Sequence, residues 1–217
     1  MSSGLVIAVD GPAAAGKGTL ARRLAAALGL PHLDTGLLYR AVGLRVLDRG
    51  ADPHDARIAE AAARALRPAD LDRTDLRGPE ADMAASAVAA IPVVRAALLE
   101  FQRGFGRARG AVLDGRDIGT VVFPEAPVKL FVEASLAERA RRRWEELRGR
   151  GVAADLGQVE AELRARDAQD SLRVVAPLRP AADALLLDTT ALDADSAFAA
   201  ALRLVRARLA DGTAGGG

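Results

Sequence analysis

Two of the 30 basic residues are lysines, Lys17 and Lys129. In a chain that otherwise uses arginine, Lys17 closes the run Gly11-Pro12-Ala13-Ala14-Ala15-Gly16, and Gly18-Thr19 follow it. A Gly-x-x-x-x-Gly-Lys turn of this kind wraps a polyphosphate in backbone N–H groups, and its compact ammonium reaches the outer phosphates. The context supports that chemistry. An apolar strand, Val6-Ile7-Ala8-Val9-Asp10, runs into the turn, and the spacing of Leu20, Leu24 and Leu28 marks an amphipathic helix leaving it. The helix would aim its positive N-terminal end at the same anion.

Three further groups could act on phosphate. Ala111-Val112-Leu113 is a second apolar strand ending in Asp114-Gly115-Arg116-Asp117. P-loop enzymes place a Mg²⁺-holding carboxylate at such a strand end, although Asp-Gly is also an ordinary turn signal. On a helix, Arg139, Arg142 and Arg143 share one face, where guanidinium forks can grip phosphate oxygens; a solvated basic face explains them equally well. Arg166 and Asp170 fall on one side of another helix with Arg173 a turn beyond, a spacing that an exposed ion pair also accounts for.

The elements that must position these groups alternate. Strands are expected near 5–9, 31–33, 111–114, 128–132 and 184–187. Helices are expected near 17–28, 36–49, 54–66, 80–90, 92–108, 135–149, 155–169 and 193–209. Apolar strands separated by helices imply an α/β protein with a covered parallel sheet. The stretch 67–79 is polar and turn-rich and reads as a loop, and 212–217 reads as a disordered tail.

At 217 residues, half of them hydrophobic, the chain suits one domain with a sizeable core. With no cysteine there is neither a disulfide framework nor a usual structural zinc. No leader or membrane span is recognisable, so a soluble cytoplasmic protein is expected. A net charge of +1 and 3% aromatic residues argue against a nucleic-acid polymer as partner.

Taken together, the motifs resemble those of the bacterial cytidylate kinases, within the nucleoside monophosphate kinases. The blocks are Gly-Lys-Gly-Thr at 16–19, Asp34-Thr35-Gly36-Leu37-Leu38-Tyr39-Arg40, Ala85-Ser86-x-Val88-Ala89 with Pro92-x-Val94-Arg95, and Asp114-Gly115-Arg116-Asp117-Ile118-Gly119-Thr120-Val121-Val122-Phe123-Pro124. Arg166-Asp167-x-x-Asp170-x-x-Arg173 and Ala176-Pro177-Leu178 complete the set, so the resemblance spans about 5–209. It implies a P-loop NTPase fold with a five-stranded sheet and small substrate-binding and lid subdomains. The implied division is a core of 1–33, 111–134 and 171–211, a substrate lobe of 34–110 and a lid of 135–170.

The resemblance also implies roles. ATP would be held by Gly11, Pro12, Ala13, Ala14, Ala15, Gly16, Lys17, Gly18 and Thr19, with Arg139, Arg142 and Arg143 closing over it. Arg40 and Arg116 would hold the monophosphate, Ser86, Arg95 and Asp117 would read the cytosine edge, and Thr35 and Tyr39 would also bind the substrate. Arg166 and Asp170 would take the ribose hydroxyls, and Arg173 would sit beside the bound monophosphate nucleotide. Lys17, Arg40 and Arg116 would carry the catalytic charge, and Asp114 with Thr19 would hold Mg²⁺. CMP and dCMP are the implied acceptors of a monomeric enzyme. His32 and His54 lie outside every motif.

Two departures stand out. Gly18 replaces the Ser or Thr that usually follows the P-loop lysine, and 67–79 is too short for the family's β-rich insertion. A different P-loop kinase, for dephospho-coenzyme A or shikimate, would lack the 114–124 block. A non-catalytic nucleotide switch would not need so many arginines.

Overall fold

The computed structural model describes residues 4–214. The chain divides into two compact units, 1–32 with 106–217, and 33–105.

Five strands form one sheet. β1 (Val6–Asp10), β3 (Ala111–Gly115), β4 (Val128–Glu133) and β5 (Leu185–Asp188) lie in the first unit, and β2 (His32–Asp34) is where the chain passes from the first unit into the second. Their order is β2-β3-β1-β4-β5. β1 pairs in parallel with β3 and β4, and β4 with β5. Every residue of β1 and β3 is buried, which is why both read as continuous rather than alternating apolar runs. Register sets Val9 opposite Asp114 and Asp10 opposite Gly115, so β1 and β3 deliver their polar ends side by side.

Helix α1 (Lys17–Leu28) buries Leu20, Ala21, Leu24 and Ala25 and stops at Gly29, whose φ of 66° few other residues tolerate. It packs with α8 (Ala194–Ala214) in a core that takes in Ile7, Val9, Val112, Leu130, Leu187 and Val205. α8 continues to Ala214, beyond the point where the sequence places a disordered tail; 215–217 lie outside the described residues. α6 (Leu136–Gly149) and α7 (Leu156–Leu172) form a satellite core around Ala140, Leu147, Val159 and Leu163. Ser135 caps α6 by accepting from Glu138 N, and Asp155 caps α7 by accepting from Gln158 N.

The second unit contains α2 (Thr35–Leu47), α3 (Ala56–Arg64), α4 (Pro79–Ala89) and most of α5 (Pro92–Arg109). α2 and α4 cross closely at Gly43, where a Cβ would lie 2.7 Å from the Ala84 Cβ. The 67–79 stretch is not an open loop. It forms two 3₁₀ turns, Pro68–Asp72 and Thr74–Leu76, because Leu76 is buried with Ala41, Leu44 and Ala81 and Arg45 binds Asp70 at 2.7 Å. Among the described residues, no single helix is long and apolar enough to cross a membrane.

Candidate active site

The phosphate loop leaves β1 at Gly11, where φ is 153° and a Cβ would lie 2.0 Å from the Val132 carbonyl oxygen, so only glycine fits beside β4. Positive φ at Ala14 (60°) and Gly16 (86°) turns successive N–H groups around a concavity that suits an anion. Lys17 donates to the Pro12 carbonyl at 3.3 Å, which folds its ammonium back over the loop. All the loop residues expected to hold ATP, Gly11 to Thr19, lie in this turn and the first turn of α1.

Arg139 and Arg142 brace that loop, and neither belongs to a solvated basic face. Arg139 is 5% exposed; it donates to the Ala13 carbonyl at 3.3 Å, to the Ala134 carbonyl at 2.9 Å and to both Asp167 oxygens at 3.1 and 2.7 Å. Arg142 donates to Glu138 (2.8 Å), Thr189 Oγ1 (3.1 Å), Thr189 O (2.6 Å) and Leu192 O (3.2 Å). Its Nη1 stands 3.8 Å from the place a Gly16 Cβ would occupy, and Thr189 Oγ1 in turn donates to Ala15 O at 3.2 Å. Arg143 pairs with Glu146 at 2.8 Å.

At the end of β3, Asp114 Oδ1 lies 2.7 Å from His32 Nε2. Its Oδ2 lies 3.5 Å from the Cβ position of Gly18, facing the start of α1. Thr19 sits exposed in the same first turn.

Arg116 Nε donates to Asp170 Oδ2 at 2.8 Å, and Arg173 Nη2 donates to Asp170 Oδ1. Asp170 is 1% exposed, so this is a buried hub and not an exposed helical pair. Burial alone would push the Asp170 carboxyl up; the charges of Arg116, Arg173 and Arg166 outweigh it and hold the carboxyl below the ordinary aspartate range.

The residues after Arg116 form a π-helical turn, Ile118–Val122. The Asp117 carbonyl accepts from Val121 N (2.9 Å) and Val122 N (3.2 Å), while its buried carboxylate does not cap the turn. Asp10, from the end of β1, accepts from Ile118 N at 2.8 Å and Gly119 N at 2.7 Å. Burial raises the Asp10 carboxyl to about 7; the two N–H donors and Lys17 pull it down, and Asp117 pushes it up.

The second unit holds its own polar set. Arg40 binds Asp82 Oδ1 through Nε (2.9 Å) and Nη2 (2.8 Å), and its Nη1 lies 3.6 Å from the Cβ position of Gly36, over the first turn of α2. That places a guanidinium edge at a helix N-terminus, where Thr35 begins α2. Arg95 is 8% exposed; it donates to the Ala89 carbonyl at 3.2 Å and stacks 5.4 Å from the Tyr39 ring centre. Ser86 lies on α4, the helix that also carries Asp82.

Sequence reasoning missed four residues here: Asp10, His32, Asp82 and Thr189. Asp10 left one signal, a carboxylate ending a strand whose other residues are all apolar and buried. The others act through partners distant in sequence, which no local pattern reveals.

The comparisons with known proteins follow the same lines. A family model described as cytidylate kinase matches residues 7–207. A cytidylate kinase of Granulibacter bethesdensis is 65% identical over 93% of this chain and 97% of its own length. One of Acidiphilium cryptum is 63% identical over 98% of this chain and all of its own length. Coverage that complete leaves no long extra segment in either relative, so the short 67–79 stretch does not set this chain apart from them. A solved structure of an uncharacterised Eubacterium ventriosum protein superposes with a TM-score of 0.54 at 12% identity, covering 93% of this chain and 98% of that one. A Thermus thermophilus structure gives 0.50 at 23% identity, covering 96% and 99%; both likenesses concern the fold alone. A phosphate loop after β1, an arginine-bearing block after β3 and relatives matched from end to end agree: this chain belongs to the cytidylate kinase family.

Proposed function

We propose that the chain transfers the terminal phosphoryl group of ATP to CMP and dCMP, giving ADP with CDP or dCDP. The observation that carries this reading is the register of β1 on β3. It sets the phosphate loop beside the 114–117 block at the carboxyl ends of adjacent strands, where open α/β sheets collect their ligands. The name shared by the relatives supplies the acceptor.

On this reading the loop N–H groups, Lys17 and Arg142 bind the donor phosphates, with Arg143 further along the same helix and Arg139 holding the loop through the Ala13 carbonyl. Arg116 and Arg40 take the acceptor phosphate, with Thr35 and Tyr39 beside it. Ser86, Arg95 and Asp117 read the base, and Arg166, Asp170 and Arg173 serve the nucleoside. The Asp170 hub keeps Arg116 and Arg173 oriented before any phosphate arrives. Phosphoryl transfer depends more on position and charge than on a base, and this inventory is rich in both. We assign 34–110 to acceptor binding and 135–170 to a lid.

Asp114 and Thr19 also fit Mg²⁺. They offer oxygen donors, and Asp114 Oδ2 lies 3.5 Å from the Cβ position of Gly18, in the helix turn that carries Thr19. One carboxylate together with substrate phosphates is a usual Mg²⁺ donor set. Bound there, the ion would neutralise charge on the β- and γ-phosphoryl oxygens. The reading places the reaction in the cytoplasm, on a monomer, with no nucleic-acid polymer or membrane as partner.

A coupled ADP-release assay tests this directly. With ATP and Mg²⁺, turnover is expected with CMP and dCMP. Turnover with dephospho-coenzyme A or shikimate instead, or ATP hydrolysis indifferent to any acceptor, would replace the reading.

A further inference from the structure

Asp10 stands one residue before the phosphate loop, yet both of its carboxylate oxygens are taken by another segment. They accept the N–H groups of Ile118 and Gly119, at 2.8 and 2.7 Å, on a segment more than 100 positions along the chain. Those two residues open the turn that follows Arg116 and Asp117. The turn is closed by Phe123 N on Ile118 O at 2.7 Å. Its far end is held from β4, where the buried Lys129 donates to the Pro124 carbonyl and to both oxygens of Asp183 at 2.9 Å. The turn is therefore pinned at two points by charged side chains from two neighbouring strands.

Neither charge is a natural choice for the fold alone. β1 and the first five residues of β4 are otherwise buried apolar strands, and a carboxylate or ammonium placed there must be desolvated. What the two charges gain is a fixed path for a segment that has no ladder of its own. Gly119 is seated closely between them; a Cβ there would lie 3.2 Å from Lys129 Cγ and Cδ and 3.4 Å from Asp10 Oδ2.

We propose that Asp10 is a positioning residue for the acceptor nucleotide: by holding the amides of Ile118 and Gly119, it fixes where Arg116 and Asp117 present their side chains. This rests on the assignment of Arg116 and Asp117 to the acceptor. Asp10 touches neither nucleotide and acts through the backbone. Its contribution belongs to the monophosphate side, although its place in sequence is on the triphosphate side.

Asp10→Asn keeps the shape but turns an amide N–H₂ against one of the two backbone donors. Measured near pH 8, the variant is expected to raise KM for CMP about 10-fold and to narrow the CMP-over-UMP ratio, while KM for ATP moves less than about 3-fold. Equal rises in both KM values would assign Asp10 to the phosphate loop and Lys17, and would overturn the proposal. Arg116→Ala and Asp117→Ala are measured alongside. If neither weakens CMP, the acceptor assignment falls and this inference with it; if they weaken CMP and Asp10→Asn does not, this inference alone falls. Should Asp10→Asn fail to fold, Gly119→Ala decides. Its Cβ would crowd the Lys129 stem and Asp10 Oδ2, the two side chains that flank the turn; the same selective rise in KM for CMP is expected, and wild-type values would overturn the proposal.

Discussion

Asp170 holds Arg116 through one oxygen and Arg173 through the other, inside a site where its own side chain is 2% exposed. Two guanidinium groups are thereby oriented by a single carboxylate. Removing it would strip both of that carboxylate while their side chains stay largely buried. Asp170→Ala is expected to cost roughly 3 kcal/mol at neutral pH, seen as a lower midpoint in denaturant. The sign with pH follows from the depressed carboxyl. Its stabilisation is present above the ordinary aspartate value and is lost as pH falls through its lowered one. The gap between wild type and variant should therefore close in acid. A gap that widens on acidification would contradict the hub.

Lys17→Met tests the donor side. The ammonium rests on a loop carbonyl and not in the apolar core, so the fold should survive with little change in Tm. Turnover should fall more than about 10-fold: the variant is expected to keep less than about 10% of wild-type kcat/KM, a loss above about 1.4 kcal/mol. A variant retaining more than that would remove Lys17 from the chemistry.

Arg40→Ala and Arg116→Ala test the acceptor side in binding. Charge-assisted bonds to phosphate are worth about 1.5–3 kcal/mol each. Each variant should weaken CMP about 10-fold or more in titration calorimetry and leave a non-hydrolysable ATP analogue nearly untouched. Equal damage to both ligands would move these arginines to the donor site or to a structural role.

Ala14 carries φ of 60° inside the phosphate loop, a conformation that costs an L-residue with a Cβ about 1 kcal/mol. Ala14→Gly relieves that cost against glycine's greater freedom in the unfolded chain. The net expectation is unchanged stability or a gain of up to about 1 kcal/mol by thermal unfolding. A loss above about 1 kcal/mol would argue that the loop does not hold the left-handed turn in solution.

Much of the fold was legible because its signals are local. The continuous apolar runs of β1 and β3, the Leu20-Leu24-Leu28 stripe of α1 and the prolines opening α4 and α5 place these elements within a residue or two. Leu76 was less visible: in a polar stretch it buries with Ala41, Leu44 and Ala81, with Leu71 packed against them, and 67–79 folds into 3₁₀ turns. The π-helical turn could not be read, because its amides are held by Asp10 from 108 and 109 positions away. Separations of 82 and 28 positions hid the bond from His32 to Asp114 and the one from Arg139 to Asp167. Motifs marked which residues matter; only tertiary contacts reveal which of them hold one another.

The central claim is selectivity for cytosine, and the ratio of kcat/KM for CMP over UMP tests it most directly in wild type and Asp117→Ala. Cytosine presents an amino donor where uracil presents a carbonyl, and a carboxylate only accepts. On the assignment of Asp117 to the base, its buried carboxylate would be repelled by uracil's oxygen where it would accept from cytosine's amino group, so rejection is expected to be large. Wild type should favour CMP strongly, and Asp117→Ala should narrow the ratio at least about 10-fold, chiefly by losing CMP. A wild type that uses UMP as readily as CMP would contradict the account; a slower Asp117→Ala with the ratio unchanged would remove Asp117 from base reading.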